Sequence, residues 1–155
     1  MQHQHNYNAT IGWTGNRGTG TDHYKNYDRS YEISIQSKAV IAGSSDPAFL
    51  GDKTKHNPED LLLSALSSCH MLWYLHLCSE SGIIVKDYVD HATGTMIETT
   101  NGGGKFTEVT LNPIVVVAEE NMINKANELH IKANELCFIA NSVNFPVKHN
   151  PVVKI

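Results

Sequence analysis

The richest run of apolar positions lies in residues 57–82, NPEDLLLSALSSCHMLWYLHLCSESG. Leu61, Leu62, Leu63, Ala65, Leu66, Cys69, Met71, Leu72, Trp73, Tyr74, Leu75, Leu77 and Cys78 cover nearly the whole circumference of a helix. A helix apolar all round is a buried one. Asn57 can cap its start, Pro58 suits the first helical position, Glu59 and Asp60 put negative charge in the first turn, and Gly82 is a natural stop. The helix would run roughly 35 Å. Asp60, His70, His76 and three mid-run serines make it too polar for a membrane span.

A second helix is expected over 119–140, where Met122, Ala126, Leu129, Ala133, Leu136 and Ala140 follow helical spacing. KANEL occurs at 125–129 and again at 132–136, one heptad of self-similarity on an amphipathic helix. Strands are expected over 6–14, 31–36, 83–99, 105–117 and 152–155, with turns at 15–21 and 101–104 and a long loop over 39–56. Pro113 cannot donate to a ladder and points to an edge or bulge. This order of strands, buried helix, hairpin, second helix and short strand predicts an α+β fold with antiparallel sheets packed around the helices. A fully apolar helix needs more cover than 155 residues easily supply, so a two-fold homodimer is expected.

The length suggests one domain over residues 1–155. The net charge of −4 offers no basic stripe for nucleic acid. The first residues, MQHQHNYNAT, are polar without an apolar core, so a cytoplasmic location is expected, with no membrane association. The three cysteines then read as free thiols, and no CxxC spacing suggests zinc.

Cys69, mid-way along the first helix, is the candidate for chemistry. A lone Cys on a buried helix is usually a small hydrophobe. It lies about 18 Å from the helix start, too far for the dipole to lower its pKa. Activation would need an imported cation, for which Arg17 and Arg29 are the candidates. Cys137, near the apolar stripe of the second helix, could resolve an oxidised Cys69 if the two helices pack together. Cys78 points about 180° away from Cys69 and reads as core. Among the nine histidines, no HxxxH spacing supports a metal site. A Cys–His hydrolase pairing Cys69 with a distant His149 has no local motif. GNRGTGT, at 15–21, lacks the Lys–Ser/Thr of a phosphate loop and reads as a turn.

NPEDLLLSALSSCH, followed by the second Cys in ELCFIANSVNFPV, resembles the OsmC/Ohr family of thiol-dependent hydroperoxidases, and the OsmC-like branch more than Ohr. The resemblance spans nearly the whole chain. It implies an intertwined homodimer, with two antiparallel sheets around two long central helices and active sites at the dimer interface. Cys69 matches the peroxidatic Cys, Cys137 the resolving Cys, and Glu59 a glutamate that holds an arginine over the thiolate. Arg17 matches the Ohr pattern for that arginine and Arg29 the OsmC pattern, with Arg29 slightly favoured. The implied substrates are organic hydroperoxides and, less well, hydrogen peroxide. No cofactor is implied, and an external dithiol such as a lipoyl group would be the reductant. Two positions depart from the pattern: Phe138 replaces a proline after the second Cys, and His70 replaces a phenylalanine after Cys69. The alternative reading is a non-catalytic dimer of the same fold that binds an apolar ligand.

Overall fold

The computed structural model describes residues 3–155 and divides into two compact units, one ending at Leu61 and one running Leu62–Ile155. The first unit holds a three-stranded antiparallel sheet of β1 (Thr10–Trp13), β2 (Tyr31–Ser34) and β3 (Ile41–Gly43), in that order. Ile33 is the register centre, opposite Ile11 on one side and Ile41 on the other. β3 lies inside the stretch expected to be a loop; three residues of strand are too few to leave a period.

Helix α1 (Pro58–Glu80) opens at the end of this unit. Its start is a reciprocal cap, with the Asp60 N–H donating to Asn57 Oδ1 at 2.7 Å and the Asn57 N–H to Asp60 Oδ2 at 3.2 Å. Its end is set by Gly82 at φ +70°, which lets the Ile83 N–H reach back to the Cys78 carbonyl at 2.8 Å.

The second unit contains β4 (Val85–Asp90), β5 (Thr93–Glu98), β6 (Gly104–Leu111), β7 (Pro113–Val117), α2 (Ile123–Leu136), β8 (Val147–His149) and β9 (Val152–Lys154). The expected single hairpin is real but bent. Its two long strands break at 91–92 and at Asn112, giving one sheet β4-β7-β9 and another β5-β6-β8. Asn112 stitches the bend: its N–H donates to Asp90 Oδ1 at 2.7 Å and its side-chain amide to the His91 carbonyl at 2.9 Å. Pro113 follows at once as the first residue of β7, where no ladder donor is missed. It is buried in the central strand, which corrects the edge expected for it. The sheets are mixed, because the C-terminal strands β8 and β9 add in parallel to β6 and β7. A short strand such as β8 carries no sign of its partner's direction.

Two cores fill this unit. Leu66, Val109 and Leu111 form one, with Phe106, Phe145 and Val147 against it. Tyr74, Cys78, Val115, Val117, Ala126, Leu129 and Ala133 form the other. Leu66, His70, Tyr74 and Cys78, four residues apart on one stripe, are the buried residues of α1. The rest of the helix is less covered than an all-round apolar sequence predicts, and Leu72 is 63% exposed. α2 stops at Leu136, short of the expected 140, because Cys137 takes extended backbone (φ −65°, ψ 110°).

Candidate active site

Cys69 lies on α1 between the two cores, one turn from Leu66 and about one turn from Tyr74. It is half-buried, whereas Cys137 is fully buried, and all three cysteines are free thiols. The two sequence-predicted thiols meet. Burial first, and then a hydrogen bond with Cys69, push the Cys137 thiol up to about 11; the Ala140 N–H, donating to Cys137 Sγ at 3.4 Å, acts the other way. The pair is therefore unequal: Cys137 is held as a thiol and shielded, while Cys69 is reachable from solvent. Contacts run from Cys69–Cys137, through His70 and Tyr74 against His130, to Cys78 beside Ala126 and Leu129, so α1 and α2 are antiparallel along this seam. Trp73, one turn beyond Cys69, meets Phe138, the residue after Cys137, edge to face at 5.6 Å. This gives the thiol pair an aromatic flank. Cys78 is core, as expected, and burial raises its thiol pKa.

The charged candidates lie in the first unit. Arg17 is paired with Asp28 through two hydrogen bonds, with both side chains well exposed. The guanidinium lowers the Asp28 pKa, chiefly through the hydrogen bond. Arg29 donates to the Tyr27 and Tyr24 carbonyls at 2.6 and 2.7 Å and lies over both of their rings, at 4.2 and 4.4 Å. Glu59, in the first turn of α1, has a buried Oε2 without a hydrogen-bond partner among the described residues. Neither arginine is on it.

A family model described as "OsmC-like protein" matches residues 51–151. The chain belongs to the OsmC-like family. A solved structure of an OsmC-like protein of unknown function from Vibrio cholerae is 27% identical, with a TM-score of 0.86 over 96% of this chain and 100% of that one. An organic hydroperoxide resistance protein from Elizabethkingia anophelis shares the fold at 17% identity, with a TM-score of 0.70 over 99% of each chain. Among curated proteins, the uncharacterised YmaD of Bacillus subtilis is 24% identical over 90% of this chain and 87% of its own length. The OsmC-like fold is thus that of the whole chain, α+β with two helices and mixed sheets.

One feature of this OsmC-like chain has no counterpart in its sequence motifs. His70, His130 and His149, from α1, α2 and β8, come together, the first two fully buried and His149 partly so. Sequence separations of 60 and 19 residues hide such a cluster; only the unusual number of histidines hinted at it. His70 Nε2 and His130 Nδ1 are 3.0 Å apart, the ring planes differ by 6°, and the ring centres are 5.3 Å apart. The nitrogens are closer than the centres by about one ring width, so the rings meet edge to edge through one N–H···N hydrogen bond. Two metal–nitrogen bonds of about 2 Å each would not fit between nitrogens facing each other at that distance. Among the described residues no three His, Cys, Asp or Glu side chains are arranged to hold a metal. Tyr74 stacks on His130 at 3.8 Å. Burial, then the neighbouring imidazoles, lowers His70 to about 4 and His130 to about 3; burial also lowers His149.

Proposed function

We propose that the protein is a thiol-dependent peroxidase that reduces organic hydroperoxides to alcohols in the cytoplasm. The observation that carries this is the contact of an accessible Cys69 with a buried, protonated Cys137. Burial divides the roles. Cys69 attacks one peroxide oxygen, an S–O bond forms as the O–O bond breaks, and the alkoxide leaves as alcohol after taking a proton. Cys137 then displaces the sulfenic oxygen as water and closes a disulfide, which an external dithiol such as a lipoyl group reopens. Membership of the OsmC-like family supports this, as do fold relatives named organic hydroperoxide resistance proteins.

Glu59 is a positioning residue in this reading. A buried carboxylate oxygen without a donor calls for a cation, and a guanidinium there could extend toward the Cys69 thiolate and favour its ionisation. Arg17 is the freer candidate, since its partnership with Asp28 is exposed and screened by water. Arg29 is tied by two carbonyls and two rings. A second copy of the chain is the proposed cover for the exposed flank of α1 around Leu72. The aromatic flank of Trp73 and Phe138 suits an alkyl or aryl peroxide.

Cumene hydroperoxide added to reduced protein tests the reading. The expected result is loss of two thiols per chain and a Cys69–Cys137 link within the chain on non-reducing mass analysis. Absence of any peroxide-dependent thiol loss would overturn it and leave the apolar-ligand carrier.

A further inference from the structure

The buried histidines take no part in the chemistry above, yet they lie on the two helices that bring the thiols together. His70 is the residue after Cys69. His130 lies on α2 seven residues before Cys137, about two helical turns back from the end of the helix. Cys137 itself stands just past the end of α2 on extended backbone, so its sulfur goes wherever that helix is held. The His70–His130 hydrogen bond is a buried polar link between the two helices on this seam, amid apolar neighbours that would allow sliding. Its outer nitrogens, His70 Nδ1 and His130 Nε2, are buried without a partner among the described residues.

We propose that the His70–His130 hydrogen bond is a positioning pair that holds Cys137 against Cys69, so that the disulfide closes readily only while that link is made. The physical reason is the proton count. Two neutral rings share one proton along the N···N line. A first added proton places a cation in the interior; a second sets N–H against N–H and breaks the link. The titratable groups against the pair are His149 from β8 and Tyr74 from α1, and Tyr74 in turn meets Cys78 on its own helix and Tyr88 from β4. The groups acting on the two imidazoles are one another and His149, with no carboxylate among them to offset a positive charge.

The inference deepens the reading of Cys69 and Cys137 as a redox pair, and its test uses no peroxide. Full-length protein is equilibrated with oxidised and reduced glutathione. Two protein thiols plus one oxidised glutathione give the Cys69–Cys137 disulfide and two reduced glutathiones, with both electrons and both protons passing to glutathione. The disulfide is quantified by alkylation and mass mapping. At pH 7.5, His130→Phe should lower the equilibrium constant about tenfold, the order of one buried hydrogen bond. His130→Asn, whose amide falls where Nδ1 lay, should restore most of it. The double variant His70→Gln/His130→Asn makes the same link without a titrating ring. At the same pH, this double variant should close the disulfide within about threefold of wild type, because the link is kept. A folded His130→Phe protein that closes the disulfide as readily as wild type would overturn the proposal. So would a folded His70→Gln/His130→Asn protein whose equilibrium constant lies about tenfold or more below that of wild type, and this second comparison stands if His130→Phe does not fold. Protein that closes the disulfide with glutathione but ignores cumene hydroperoxide loses only the peroxidase reading.

Discussion

Acidification from pH 7 to pH 4 should unfold this protein through its interior rather than its surface. His70 and His130 are buried and neutral, with pKa values near 4 and 3 against 6.5 for a solvated imidazole. Both folded-state values lie below the unfolded one. The stability they confer is therefore complete above pH 6.5 and is lost as pH falls from there toward 4 and then 3, because the unfolded chain takes up protons that the folded chain refuses. Each ring costs up to about 1.4 kcal/mol per pH unit in that window. The pair thus removes about 3 kcal/mol between pH 6.5 and 5, and about 5 kcal/mol by pH 4. His149 shifts in the same direction and adds to the loss. Typical domains hold roughly 5–15 kcal/mol in all, so unfolding between pH 4 and 5 is expected. Asp28 and Asp52, with lowered carboxyl pKa values, titrate below this window and do not confuse it. Urea unfolding followed by tryptophan fluorescence at half-unit steps of pH, at one protein concentration, measures the slope. A change under about 1 kcal/mol between pH 6.5 and 5 would refute the reasoning, as would an equal slope in His70→Gln/His130→Asn.

Four further outcomes follow from individual side chains. Leu66→Ala, at a fully buried position against Val109 and Leu111, should cost about 2–5 kcal/mol in urea unfolding. Asn57→Ala removes the acceptor for the Asp60 N–H and should cost about 0.5–2 kcal/mol by the same measurement. In steady-state assays with cumene hydroperoxide, Cys69→Ser should reduce turnover to background while Cys78→Ser leaves it within about twofold, since burial keeps that thiol inert. Arg17→Ala should lower the rate of Cys69 alkylation by iodoacetamide at pH 7 more than Arg29→Ala does; the reverse order would assign the activating role to Arg29.

The OsmC-like pattern was legible because its strongest signals are local. Asn57, Pro58 and Gly82 act on the backbone within a few residues of themselves, so α1 is found to within two residues of its expected ends. Cys69 and Cys137 could be singled out for the same reason, each standing in a recognisable short motif. Only folding could bring them into contact, and only burial could make one a shielded thiol and the other a reachable one. The bend at Asn112, the parallel docking of β8 and β9, and the early end of α2 at Cys137 are long-range choices. Each depends on a partner many residues away, and short strands carry no periodicity that names that partner. The histidine cluster is the extreme case. Three polar residues scattered over 80 positions look like surface in the sequence, and meet, two of them fully buried, only because two helices and a short C-terminal strand converge on one point. Local chemistry determined what each segment is; the packing of segments decided which side chains lost their water, and with it which of them can react or titrate.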